Sequence, residues 1–110
     1  MAEISTIQTE KILYKRNIKL PKPNKEQWYV YILECKNGSF YTGVTNNLKK
    51  RMKTHAEGKG SKYVKAKGFK QLLRFKKCKN KSDACKAEFH IKTLQKYDKL
   101  DWFKSSNSEH

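Results

Sequence analysis

Trp28-Tyr29-Val30-Tyr31-Ile32-Leu33 is an unbroken run of aromatic and aliphatic residues that leads through Lys36-Asn37-Gly38-Ser39 into Phe40-Tyr41-Thr42-Gly43-Val44-Thr45. β-formers on both sides of an Asn-Gly pair spell two strands joined by a tight turn, because Asn and Gly tolerate the positive φ such turns demand. Side chains alternate along a strand, so Tyr29 and Tyr31 share one face, and the turn brings Tyr41 back near them. Tyr29 reads as a core aromatic. Gly43 weakens the second strand and marks a bulge or a close approach by a ligand.

Downstream of the hairpin the period changes. Asn46 to about Glu57 reads as a helix capped by Thr45 or Asn46, with Leu48 and Met52 on one side and Gly58 as its stop. Gly58 to Gly68 reads as a Gly-Lys-rich loop, and Gln71-Leu72-Leu73-Arg74-Phe75 as a third strand running to about Cys78. Ser82 or Asp83 then caps a second helix from Ala84 to about Tyr97, and Asp98 with Asp101 opens a short last helix through Trp102 and Phe103. The order β-β-α-β-α-α predicts an α+β domain, a small antiparallel or mixed sheet covered by helices.

A chain of 110 residues supports one core. Leu, Ile, Val and Phe number only 22, a level at which highly charged chains are often disordered, but 13 aromatic residues supply the burial a core needs. Residues 1–27 carry six basic and three acidic residues and close on Pro21-Lys22-Pro23, so they read as a flexible basic arm. The folded domain is expected over residues 28–104, with a disordered tail at 105–110. No stretch reaches the ~20 apolar residues of a membrane span and the N-terminus lacks an apolar leader block, so the expected location is cytoplasmic, without membrane contact. Cys35, Cys78 and Cys85 are an odd number outside any paired motif, which fits a reducing compartment. On a helix Cys85 and His90 stand about 140° apart around the axis, a poor shared face for zinc.

The net charge is +16. Between Lys49 and Lys81 there are 14 Lys or Arg and a single acid, Glu57. A block of one sign repels itself and is tolerated when a polyanion neutralises it, so the expected partner is nucleic acid, DNA or else RNA. Lys49, Lys50, Lys53, Lys59, Lys62, Lys65 and Lys67 are the candidate phosphate contacts. Within this region Arg51 and His55 are four apart, one turn of a helix, so they share a face beside Leu48 and Met52 and can meet a phosphate together. On the second helix Glu88 falls inside the apolar arc of Ala84, Ala87, Ile91 and Leu94. A carboxylate aimed at the edge of a core needs a cation, either a lysine at the rim or a metal.

Taken in order, Tyr29-Val30-Tyr31, Tyr41-Thr42-Gly43, the Arg51-x-x-x-His55 helix and the later Glu88 resemble the GIY-YIG nuclease domain, over about residues 28–104. The blocks Tyr-Val-Tyr-Ile-Leu, Tyr-Thr-Gly-Val-Thr, Gly-Lys-Gly-Ser-Lys-Tyr and Glu-x-x-Ile-Lys-x-Leu are similar to those of small stand-alone bacterial members. The resemblance implies three antiparallel strands flanked by helices, a divalent cation (Mg²⁺ or Mn²⁺) and phosphodiester hydrolysis in DNA, with structure-selective cleavage as a further option. It implies that Tyr31 lies near the attacking water with Tyr41 beside it, that Arg51 neutralises the scissile phosphate, that His55 orients or deprotonates the tyrosine or water, and that Glu88 holds the metal. A tyrosine at its ordinary pKa of ~10 is a poor base near neutrality, so either nearby cations lower it or His55 takes the proton. Departures are Tyr29 for the usual first-motif Gly, Thr42 for Ile, Val44 where some members carry Lys, and no counterpart of the late active-site Asn. The alternative is a nucleic-acid-binding module on the same fold with weak or lost turnover.

Overall fold

The computed structural model describes residues 18–108. Strands β1 (Trp28–Cys35), β2 (Phe40–Thr45) and β3 (Phe69–Cys78) form one sheet in the order β2-β1-β3, with both pairings antiparallel. Helices α1 (Leu48–Ala56) and α2 (Lys62–Lys67) separate β2 from β3, and α3 (Lys81–Lys92) and α4 (Lys96–Ser108) follow. The expected three-stranded α+β architecture is present, with one element more than the sequence disclosed. In the stretch read as a loop, Ser61 caps α2 by accepting from the amides of Tyr63 and Val64, and Val64 anchors it as its one buried side chain. The caps of the longer helices shift too: Asn47 accepts from the Lys50 amide and Asn80 from the Asp83 amide.

Central β1 is covered on both faces, which accounts for an apolar run without alternation. Its odd positions Tyr29, Tyr31, Leu33 and Cys35 pack with Leu48, Met52, Val64 and Leu72 beneath α1 and α2. Its even positions Val30 and Ile32 pack with Leu73, Ile91 and Phe103 beneath α3 and α4. Burying each of these large side chains is worth roughly 1.5–3 kcal/mol, and this two-sided core compensates for the low aliphatic content. Of the stretch read as a flexible arm, residues 1–17 lie outside the described residues, whereas Ile18 and Leu20 are half-buried against the first cluster. Among the described residues no helix is long and apolar enough to cross a membrane.

Candidate active site

The β1–β2 register sets Tyr31 opposite Gly43, and Leu33 opposite Tyr41. A Cβ at position 43 would stand 2.5 Å from the Tyr31 hydroxyl oxygen and 2.7 Å from the ring carbon that bears it. The glycine is there because the phenol of Tyr31 lies across it. The close approach foreseen at Gly43 is therefore made by a side chain of the protein, and the register shifts of the sheet lie in the β1–β3 pairing instead.

Across the α1 face, the Tyr31 hydroxyl meets His55 Nε2 at 2.7 Å. Both groups are buried, 1% and 2% exposed. Burial, with the neighbouring Arg51 charge as the smaller cause, pulls the His55 imidazole down to about 4, so the ring is neutral near pH 7. Burial also raises the Tyr31 phenol well above its ordinary value, aided by Tyr41 and Glu88; Arg51, through its charge and a hydrogen bond, pulls the other way and loses. Of the two options open at the tyrosine, a phenol lowered by nearby cations is the one this direction of shift goes against. The lysines of the basic block stand in water, where their charges are screened, while the phenol is 1% exposed and Arg51 is the one cation among the described residues that acts on it.

The imidazole is held by shape. It stacks on Phe69 at 6.3 Å between centroids with 7° between planes, and Gly60 passes so close that a Cβ there would lie 2.6 Å from Nδ1. Among the described residues Nδ1 has no hydrogen-bond partner, and neither does the buried Nε of Arg51. An unpartnered buried guanidinium N–H costs on the order of 1–3 kcal/mol or more, and an anion is the ligand that relieves it.

Tyr41 completes the cluster. Its ring is edge-on to His55 at 5.6 Å and tilted to Tyr31 at 6.5 Å, and Tyr63 of α2 stacks on it at 5.9 Å. Glu88 comes from α3, the helix that packs on β1 and β2 from the other face of the sheet. Its Oε2 lies 3.1 Å from Lys92 Nζ, which itself sits 5.9 Å over the Tyr41 ring. The rim lysine that the sequence left open as a partner for Glu88 is Lys92, one turn along. Sequence reasoning gave no site role to Lys92, Tyr63, Phe69 or Gly60, although Gly60 and Tyr63 lie in the Gly-Lys-Gly-Ser-Lys-Tyr block and Lys92 in the Glu-x-x-Ile-Lys-x-Leu block. Lys92 carried a further signal in its i,i+4 spacing from Glu88.

Lys49, Lys50 and Lys53 on α1, Lys59 in the connection, and Lys62, Lys65 and Lys67 on α2 are all exposed. These elements cover the sheet face that carries Tyr31 and His55, so the cationic surface borders the tyrosine-histidine pair. Cys85 is exposed, and among the described residues no group of three or more His, Cys, Asp or Glu could hold a metal.

Residues 27–101 match the family described as the GIY-YIG catalytic domain. A UPF0213 protein of Oceanobacillus iheyensis is 49% identical over 75 residues, covering 68% of this chain and 87% of that protein. One from Clostridium perfringens is 46% identical over 79 residues, covering 72% of this chain and 85% of its own. The solution NMR structure of the UPF0213 protein BH0048 from Bacillus halodurans is similar at 41% identity and a TM-score of 0.44, over 69% of this chain and 81% of that one.

Proposed function

The chain belongs to the GIY-YIG family, a family of nucleases, and from that premise we propose that it is a divalent-metal-dependent endonuclease acting on DNA through Tyr31, Tyr41, Arg51, His55 and Glu88. The observation that carries this reading is the buried 2.7 Å contact between Tyr31 and His55 next to an Arg51 whose Nε has no partner among the described residues. The guanidinium offers donors to two phosphate oxygens at once, in a partly buried setting where such bonds are strengthened.

The neutral imidazole makes the proton path chemically specific. Tyr31 is a phenol at rest, so it does not begin as the base. Its O–H donates to Nε2 of His55 while its oxygen accepts from a water. As the water attacks, the phenol oxygen takes the water's proton and passes its own to Nε2. Arg51 stabilises charge on the phosphate as the pentacoordinate arrangement forms.

Glu88 is one carboxylate with a half-exposed approach, bound to a lysine that can let go. That donor set suits a hard cation that keeps most of its waters and shares its ligands with the phosphate, and it does not suit a cage made by protein alone. Bound through Glu88, Mg²⁺ or Mn²⁺ would supply Lewis-acid stabilisation of the phosphate and leaving oxygen. The exposed lysines of α1 and α2 would hold the rest of the backbone.

The Glu88–Lys92 contact also favours a second reading, in which Glu88 is only a rim ion pair and the protein binds without cutting. Glu88→Gln separates the two. As an endonuclease the variant loses roughly 10²- to 10³-fold in single-turnover cleavage, the equivalent of several kcal/mol of charge stabilisation, while DNA binding is retained. Cleavage at the unmodified rate would remove Glu88 from the site.

A further inference from the structure

An open cleft of about 270 Å³ lies at the junction of the start of β1, the end of β2 and α1. Trp28, Asn46, Asn47, Lys50, Arg51 and Thr54 are among the residues that line it, and none of the lining residues is acidic. We propose that this cleft holds the base of one unpaired nucleotide adjoining the phosphate bound at Arg51. The proposal rests on the reading of Arg51 as the phosphate-binding group.

Size, lining and placement argue for it together. Sites for drug-sized ligands occupy about 300–1,000 Å³, so this cleft has room for one flat group and little else. An indole side chain supplies a stacking surface that any base can use, and the amides supply polar groups for a base edge. Two of those polar groups are already fixed by the protein. Asn46 Nδ2 donates to the Lys25 carbonyl at 3.2 Å, and Asn47 Oδ1 accepts from the Lys50 amide at 3.1 Å, leaving the Asn47 NH₂ to face a ligand. Lys81 Nζ sits over one face of the Trp28 ring, 5.2 Å from its centre, outside the lining of the cleft. The strongest link is Arg51 itself. It lines the cleft, and it stands one helical turn before His55, whose Nε2 meets the Tyr31 hydroxyl at 2.7 Å. A phosphate on Arg51 therefore adjoins the cleft and lies on the helix that carries His55. A base inside a duplex is already stacked on its neighbours and gains little here, so the cleft selects for single-stranded, frayed or flapped substrate at the position next to the cut.

The test reads tryptophan emission in the presence of chelator, where no cleavage occurs. Trp102, half-buried against the cluster beneath α3 and α4 and not among the residues lining the cleft, is replaced by Phe so that Trp28 is the single tryptophan. The Trp102→Phe protein is titrated with single-stranded penta-thymidylate, with an abasic pentamer of equal phosphate count, and with duplex DNA. Quenching by the thymidylate and not by the abasic strand is expected. In a protein that retains Trp102, Trp28→Leu should weaken single-strand binding by roughly 5- to 100-fold, the worth of one stacked base, and leave duplex binding nearly unchanged. Equal quenching by the abasic strand, or no quenching at all, overturns the proposal, and so does an equal loss on single strand and duplex. The quenching arm keeps the native Trp28, so it decides the matter even if Trp28→Leu does not fold. Quenching as expected, together with no cleavage of any tested substrate with Mg²⁺ or with Mn²⁺, would sink the nuclease reading and leave the base subsite standing.

Discussion

Protonating His55 should destabilise this protein. Its imidazole is 2% exposed, stacked on Phe69 and closed off by Gly60, and its pKa in the folded chain is about 4 against 6.5 in an unfolded one. Between those values the unfolded chain binds a proton that the folded chain refuses, so stability rises with pH from about 4 to 6.5 and is flat above, as far as this group is concerned. Each pKa unit is worth about 1.36 kcal/mol, so the full difference is about 3 kcal/mol, lost as the pH falls through that window. In a domain of this size that corresponds to roughly 10–25 °C in melting temperature. His55→Gln keeps an amide that can meet the Tyr31 hydroxyl and removes the titration. Urea denaturation of both proteins at half-unit intervals from pH 4 to 7 isolates the effect, because the carboxylates common to both cancel in the difference. The native profile should be steeper by close to one proton across the window. Superimposable profiles, or a directly measured His55 titration near 6.5, would refute the buried neutral imidazole and the proton path built on it.

Gly43→Ala places a methyl carbon 2.5 Å from the Tyr31 hydroxyl oxygen, and because the obstacle is a buried ring it should destabilise the fold by about 1–3 kcal/mol and abolish cleavage while the variant, below its melting temperature, still binds DNA. Salt titration of duplex binding should show a loss of roughly 10³ in affinity between 50 and 200 mM if about six phosphates are neutralised by the exposed lysines; a flat response would remove the electrostatic account of binding.

The hairpin was legible because its turn chemistry and its apolar pattern agree, and its register follows from putting Gly43 against Tyr31. The face shared by Arg51 and His55 was legible from spacing alone. Helix α2 was not, since six residues with one buried valine carry no amphipathic period, and its cap is a lone serine in a Gly-Lys-rich stretch. Nor was the true order of electrostatic effects at Tyr31. A sequence counts lysines and shows neither that they point to water nor that the phenol lies beneath two helices, so charge density suggested a lowered phenol where burial raises it. Glu88 was visible as an acid in an apolar arc with Lys92 one turn along, yet the placing of Lys92 over the Tyr41 ring depends on how α3 crosses the sheet, which periodicity does not encode.

The most direct measurement is single-turnover cleavage by the unmodified protein on end-labelled duplex, flap, junction and single-stranded DNA and RNA, with Mg²⁺, with Mn²⁺ and with chelator. Product should appear on at least one DNA substrate in the presence of either cation and vanish with chelator, and Arg51→Ala should suppress it even at saturating protein. No product on any substrate with either cation, from protein that binds those same substrates, would contradict the assignment of Tyr31, Tyr41, Arg51, His55 and Glu88 as a working active site.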